Sequence, residues 1–306
     1  MHAIVFREYG SPDVLELAET PLPAPGPGEV RVRIRAAGVQ PVDTSVRRGL
    51  APPAMAPTLP ATPGNEFSGV VDALGPGVTA WEAGDEVLGW TMLGAYAEAV
   101  AVPADQLVRK PAAMPWEEAA VLSASGQTAH RVLRELRVGA GDTVLVHAAA
   151  GGVGTFAVQL ATAWGATVVG TASPANHDYV RGLGAIPVAY GDGLADRVRA
   201  AAPQGVDAAF DAAGRGSLDV SVELVADRSR IATIVDFDGA ARLGVVGARG
   251  GPGARSQERL GELVNLYEKG ALTVHIGHRV ALADAAEAHR IVETGHGRGK
   301  VVLVTD

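Results

Sequence analysis

Apolar and polar positions follow two rhythms along the chain, and the change falls near residue 115. Before it, "HAIVF" (2–6), "EVRVRIRAAGV" (29–39) and "SGVVDAL" (68–74) carry β-like apolar patterning between turns rich in Gly and Pro. Alternation with a period of two turns one face of a strand toward a core, so this part is predicted to be mostly β. The segment "LAPPAMAPTLPATPG" (50–64) predicts an extended loop, because proline removes an amide donor and clashes with the preceding helical turn.

After Pro115 the pattern turns helical in "PWEEAAVLSASGQTAHRVLREL" (115–136). Strands are then predicted at "DTVLVHA" (142–148), "ATVVGTA" (166–172), "AIPVAY" (185–190), "VDAAFDA" (206–212) and "SRIATIVD" (229–236), with helices near 153–164, 175–183, 193–202 and 216–226. Repeated strand–helix units imply a parallel sheet with right-handed crossovers and helices on both faces. "RLGVVGA" (242–248) reads as an edge strand able to pair with a second copy across a two-fold axis. A helix "RLGELVNLYEKG" closed by Gly270 is followed by "ALTVHIGHRV", a helix "LADAAEAHRIVETG" and a terminal strand "GKVVLVTD". That last part is too short to fold alone and is assigned to the β-rich domain. The expected division is residues 1–115 with 266–306 for the β-rich domain and 116–265 for the doubly wound one.

Composition narrows the function. The net charge of −8, with no basic run, argues against nucleic acid or an anionic membrane surface as partner and favours small molecules. With no cysteine, disulfides, iron–sulfur ligation and thiolate zinc sites are excluded. The eight histidines show no H-E-x-x-H spacing, and His275 and His278 in "HIGH" read as strand or turn residues, so no metal is expected. The N-terminus lacks a basic and an apolar region of the secretory kind, and no apolar run approaches the ~20 residues of a membrane span. A cytoplasmic protein is expected.

The segment "VLVHAAAGGVG" (144–154) joins a strand to an apolar helix through residues with almost no side chain. At such a turn the backbone approaches a pyrophosphate closely, and the helix N-terminus stabilises its charge. Ala150, Gly151, Gly152, Val153 and Gly154 are therefore the expected cofactor-binding turn. An NAD site places an acid about 20 residues further on, to accept the ribose 2′-hydroxyl. From Thr155 to His177 there is none. Its absence favours NADP(H), with Ser173 and His177, then Tyr179 and Arg181, as candidates around a 2′-phosphate.

The ordered segments "MHAIVFREYGSPDVLEL", "PGPGEVRVRIRAAGVQPVDTSVRRG", "PGNEFSGVV", "GVTAWEAGDEVLG", "GAYAEAVAVPAD", "GQTAHRVL" and "GDTVLVHAAAGGVG" resemble the zinc-independent quinone oxidoreductases of the medium-chain dehydrogenase/reductase superfamily, over essentially the whole chain. The resemblance implies a GroES-like β domain and a Rossmann domain with the cofactor in the cleft between them, commonly as a homodimer. It implies hydride transfer from NADPH to a quinone or to an α,β-unsaturated carbonyl compound. Zinc-bearing relatives carry Cys and His where this chain has Gln40 and Asn65. By position, Gln40, Asp43 and Thr44 would face nicotinamide and substrate, and Thr128 would lie close to the nicotinamide ring. The family usually has Asn at Gln40 and often an aromatic at Ser45.

Plainer roles stay open: Asp43 bracing its loop, Thr128 capping its helix, Glu66 anchoring the "GNEF" turn. Asn65, Trp90, Met92 and Tyr96 are expected around a substrate pocket, and of these Tyr96 alone offers a phenolic proton. His130 follows Thr128 by two helical positions, which turns it about 200° away and removes it as the acid. Two alternatives accompany the quinone reductase: an enoyl reductase acting on a thioester or polyketide-like intermediate, and an NADPH-binding redox sensor with little turnover.

Overall fold

The structure is a computed structural model describing residues 1–51, 56–251, 253–295 and 298–305. The chain divides into two compact units: Met1–Ala124 with Arg255–Glu268 and Thr273–Asp306, and Ser125–Ala254 with Lys269–Leu272.

The first unit is built on a seven-stranded mixed sheet. Its order is Ile276–Ala281, Lys300–Val304, Glu29–Val39, Glu66–Leu74, Glu86–Trp90 and Leu107–Arg109, with Ala99–Pro103 also pairing with Glu29–Val39. The long strand Glu29–Val39 shows why the sequence pattern is legible. Val30, Val32 and Ile34 point into the core, while Arg33 and Arg35 on the opposite face stay exposed. Both Arg31 and Arg33 bond Asp72 on the neighbouring strand, at 2.7 and 3.0 Å. From Ala36 onward the same strand is buried on both faces by small residues. His2–Val5 and Glu16–Glu19 form a separate two-stranded ladder.

The second unit holds six parallel strands in the order Ala185–Ala189, Thr167–Ala172, Thr143–His147, Ala208–Asp211, Ile231–Thr233 and Val246–Gly247. Counted along the chain this order is 3-2-1-4-5-6, the doubly wound dinucleotide-binding topology. The order reverses beside Thr143–His147, and that strand runs straight into the glycine turn. All five of its residues are buried, as expected where helices cover both faces.

Several elements differ from the sequence expectation. The helix expected over 115–136 is two, Trp116–Ala119 and Ser123–Glu135. The segment 229–236 keeps only Ile231–Thr233 as strand, because a short 3-10 turn precedes it and the Asp236 side chain caps a helix, Phe237–Leu243, that the apolar pattern did not announce. That helix takes Arg242 and Leu243 out of the expected "RLGVVGA" strand, and only Val246–Gly247 pair. The helix expected over 175–183 begins as a 3-10 turn at Pro174–Asn176 and is helical over His177–Gly182. The segment 50–64 is non-helical where described; residues 52–55 lie outside the described residues. Among the described residues no helix is long and apolar enough to cross a membrane.

Candidate active site

In the first unit, strand register assembles a buried polar cluster. Pairing of Val301 with Val39 sets Lys300, at the start of the terminal strand, opposite Gln40. Pairing of Phe67 with Ala37 sets Glu66 opposite Gly38. A Cβ on Gly38 would overlap the Glu66 carboxylate, so a glycine in mid-strand makes room for that buried acid. Gln40 then turns the chain into the helix Pro41–Arg47, whose third residue, Asp43, accepts the Gln40 backbone N–H at 2.8 Å. This return bond satisfies a donor that the helix start would leave open.

Around these residues the polar side chains are joined into one network. Asp43 has no exposed surface and also accepts from Asn65 Nδ2 at 2.8 Å and Tyr96 Oη at 3.1 Å. Glu66 accepts from Gln40 Nε2 through one carboxylate oxygen and from the Ala124 N–H, at 2.5 Å, through the other. Lys300 Nζ donates to Gln40 Oε1 at 2.9 Å. The Arg255 guanidinium donates to the Asn65 carbonyl at 2.6 Å and to Asn65 Oδ1 at 2.5 Å.

Burial sets the electrostatics of the cluster. Desolvation pushes the Asp43 carboxyl up to about 6, although three hydrogen bonds to it pull the other way and Glu66 adds to the rise. Burial beside Asp43 lifts the Tyr96 hydroxyl well above its ordinary range, so it stays protonated as a donor. Desolvation lowers both Arg255 and Lys300, and the carboxylates of Glu66 and Asp43 counter it. One buried cation, Lys300, one half-buried cation, Arg255, and two buried acids thus share one site, consistent with the pairing that buried charge requires.

Of the residues expected at the substrate, Gln40, Asp43, Asn65 and Tyr96 belong to this network. Thr44 is buried next to Asp43 and spends its hydroxyl on the Pro41 carbonyl at 2.9 Å. Trp90 ends its strand opposite Glu66 and is half-buried, while Met92 is exposed. Tyr96 packs edge-on against the His289 ring at 5.7 Å. Lys300 and Arg255 were missed by sequence reasoning. The one signal for Lys300 was a charge opening an otherwise apolar terminal strand, and Arg255 sits in a Gly-rich stretch that gave none.

In the second unit the glycine turn leads from His147 to the helix Gly152–Ala163. Gly151 caps that helix with no side chain to offer, so no capping side chain accepts from the first amides, which as in any helix lack intrahelical acceptors. Gly151, Gly152 and Val153 are half-buried, and Ala150 and Gly154 are buried beneath them. These amides at the head of a helix on an all-parallel sheet fit a dinucleotide pyrophosphate. Ser173 and His177 lie just past the second strand, both half-buried, and His177 Nε2 stands 3.4 Å from the Ala172 carbonyl. Tyr179 Oη lies 3.4 Å from Thr155 Oγ1, which ties this region back to the helix of the glycine turn. Arg181 is exposed and paired with Asp178 at 2.5 Å. Thr128 is half-buried on the helix Ser123–Glu135.

The alcohol dehydrogenase GroES-like domain model matches residues 26–112, and the zinc-binding dehydrogenase model matches residues 183–303. Fold and matches define a medium-chain dehydrogenase/reductase. The chain is 36% identical to a quinone oxidoreductase of Pseudomonas aeruginosa, over 98% of both chains. It superimposes on a solved NAD-dependent alcohol dehydrogenase with a TM-score of 0.89 at 34% identity, covering all of both chains. It also superimposes on Escherichia coli quinone oxidoreductase complexed with NADPH, with a TM-score of 0.87 at 28% identity, covering 99% of this chain and 100% of that one. The protein belongs to the quinone oxidoreductase family of that superfamily.

Proposed function

We propose that the protein uses NADPH to reduce a quinone, or the C=C bond of an α,β-unsaturated carbonyl compound, without a metal. The observation that carries the cofactor assignment is the glycine turn at the head of Gly152–Ala163 followed by a stretch with no acid from Thr155 to His177. A carboxylate there would repel a 2′-phosphate, whereas Ser173, His177 and Tyr179 offer hydrogen-bonding groups. The quinone oxidoreductase relatives support the reaction class, and the NADPH complex of the Escherichia coli enzyme supports the cofactor.

In this reading Ala150 to Gly154 bind the pyrophosphate, and Gln40, Thr44 and Thr128 meet the nicotinamide and substrate, with the fully buried Asp43 supporting them through its hydrogen bonds to Gln40, Asn65 and Tyr96. NADPH supplies the hydride. The amides of Gln40 and Asn65 are poor ligands for zinc compared with thiolate and imidazole, and here both are already committed to charged neighbours. Charge developing on the substrate oxygen is therefore met by N–H and O–H donors held in place before the reaction. Trp90, half-buried, contributes apolar surface to the substrate side, while the fully buried Tyr96 acts on the site through its hydrogen bond to Asp43.

The test is a fluorescence titration with NADPH and NADH, followed by oxidation of the preferred cofactor with p-benzoquinone and with an enoyl thioester. Preference for NADPH with turnover of either acceptor supports the reading and selects the acceptor class. Equal or tighter binding of NADH overturns the roles of Ser173 and His177. NADPH binding with no turnover across a wide acceptor panel points to a sensor instead.

A further inference from the structure

The side-chain amides of Gln40 and Asn65 are each held between a cation and a buried carboxylate, the cation being buried for Gln40 and half-buried for Asn65. Gln40 accepts from Lys300 through Oε1 and donates to Glu66 through Nε2. Asn65 accepts from Arg255 through Oδ1 and donates to Asp43 through Nδ2. The two cations come from different parts of the chain: Lys300 opens the terminal strand Lys300–Val304, and Arg255 lies just ahead of the helix Gln257–Glu268.

An amide group is nearly symmetric in shape but not in chemistry. Ammonium and guanidinium groups only donate, and ionised carboxylates only accept. Turning either amide over would set its NH2 against a cation and its oxygen against an anion, with loss of two charge-assisted hydrogen bonds. The flanking charges therefore select one orientation for each amide. Burial makes that selection stronger, because Gln40 and Asn65 are only 6% and 1% exposed and water has little access to replace the lost partners.

We propose that Lys300 and Arg255 are positioning residues of the reaction, acting through Gln40 and Asn65 by holding each amide in one orientation beside the reacting centre. This rests on the proposed function, in which Gln40 meets the nicotinamide and substrate, and on the expected place of Asn65 at the substrate pocket.

The test is a double-mutant cycle in the full-length protein with Gln40→Leu, Lys300→Met and both together, read as kcat and KM for p-benzoquinone and as the Kd of NADPH. Each single substitution is expected to lower kcat on the order of 10- to 100-fold, the scale of misplacing a group at a reacting centre, with the NADPH Kd changed less than about twofold. The double variant is expected to be no slower than the worse single variant, since Lys300 then has no amide left to position. Lys300→Arg keeps the charge and is expected to retain more activity than Lys300→Met; should the methionine variant not fold, Lys300→Gln, which removes the charge but stays polar, takes its place in the cycle. Arg255→Met and Asn65→Leu form the matching cycle for the second amide, with Arg255→Lys as its charge-keeping control.

If Gln40→Leu slows the reaction but substitution of Lys300 does not, or if the two losses multiply, the positioning role is overturned and the proposed function stands. If Gln40→Leu leaves kcat unchanged, the placement of Gln40 at the reacting centre has failed, and the positioning role falls with it.

Discussion

The carbonyl oxygen of Ala148 occupies the space that a Cβ on Gly154 would need. Ala148 itself holds a left-handed backbone with φ of +55°, a conformation that costs an L-residue energy, and its N–H is fixed by Thr171 Oγ1 at 3.1 Å. The turn is thus shaped by close approach between strand end and helix start. Gly154→Ala is expected to destabilise the protein by about 1–3 kcal/mol through overpacking and to weaken NADPH binding in the same variant. Thermal unfolding and a fluorescence titration check the two effects. A variant with unchanged stability would show that the turn relaxes freely.

Ser173 stands at the end of the second parallel strand, where dinucleotide sites that prefer NAD carry an acid. Ser173→Asp is expected to weaken NADPH by about tenfold or more, because like charges brought together at a binding interface cost on the order of a few kcal/mol. NADH binding should hold or improve. Competitive titration of the two cofactors measures this, and parallel loss of both would place the 2′-phosphate elsewhere.

How far the sequence disclosed all this depends on the residue. The parallel strands were legible because burial on both faces writes short apolar runs such as "TVLVH", and the glycine turn because its small residues follow directly on one of them. The helix Phe237–Leu243 was not, since a single capping aspartate and two alanines beside an arginine make a weak helical stripe. In the candidate site, Gln40, Asp43 and Asn65 stood out by resemblance. Lys300 and Arg255 reach them through pairings 260 and 190 residues apart in the chain, and nothing local signals such a contact.

Asp43 makes stability depend on pH in a defined direction. Its carboxyl titrates near 3.8 when unfolded and at about 6 in the folded chain, so between those values the native state holds the proton more tightly. Its contribution is full below 3.8 and is lost as pH rises through about 6. At about 1.4 kcal/mol per pH unit the loss amounts to about 3 kcal/mol. Asp43→Asn lacks this titration but misdirects an NH2 among three donors, a cost that does not vary with pH. The stability gap between wild type and Asp43→Asn is therefore expected to shift in the variant's favour by most of that amount between about pH 4 and about pH 7. Denaturant unfolding of both proteins at the two pH values tests it, and a constant gap would contradict it.

His289 gives the opposite sign. The ring has no exposed surface, and neither nitrogen has a hydrogen-bond partner among the described residues. Burial, and after it the charge of Arg47, lowers its pKa from 6.5 to about 3. As pH falls below 6.5 the unfolded chain takes up a proton that the folded chain refuses, and stability is lost down to about 3. His289→Leu is of similar volume and removes two buried polar atoms, so it is expected to be more stable than wild type by about 1–2 kcal/mol near pH 7. The advantage should grow by about 2 kcal/mol near pH 5, where the histidine penalty has set in. Urea unfolding at both pH values reads the difference directly. A variant that is less stable by the same amount at both would show that the ring contributes through packing against Tyr96 and carries no such titration.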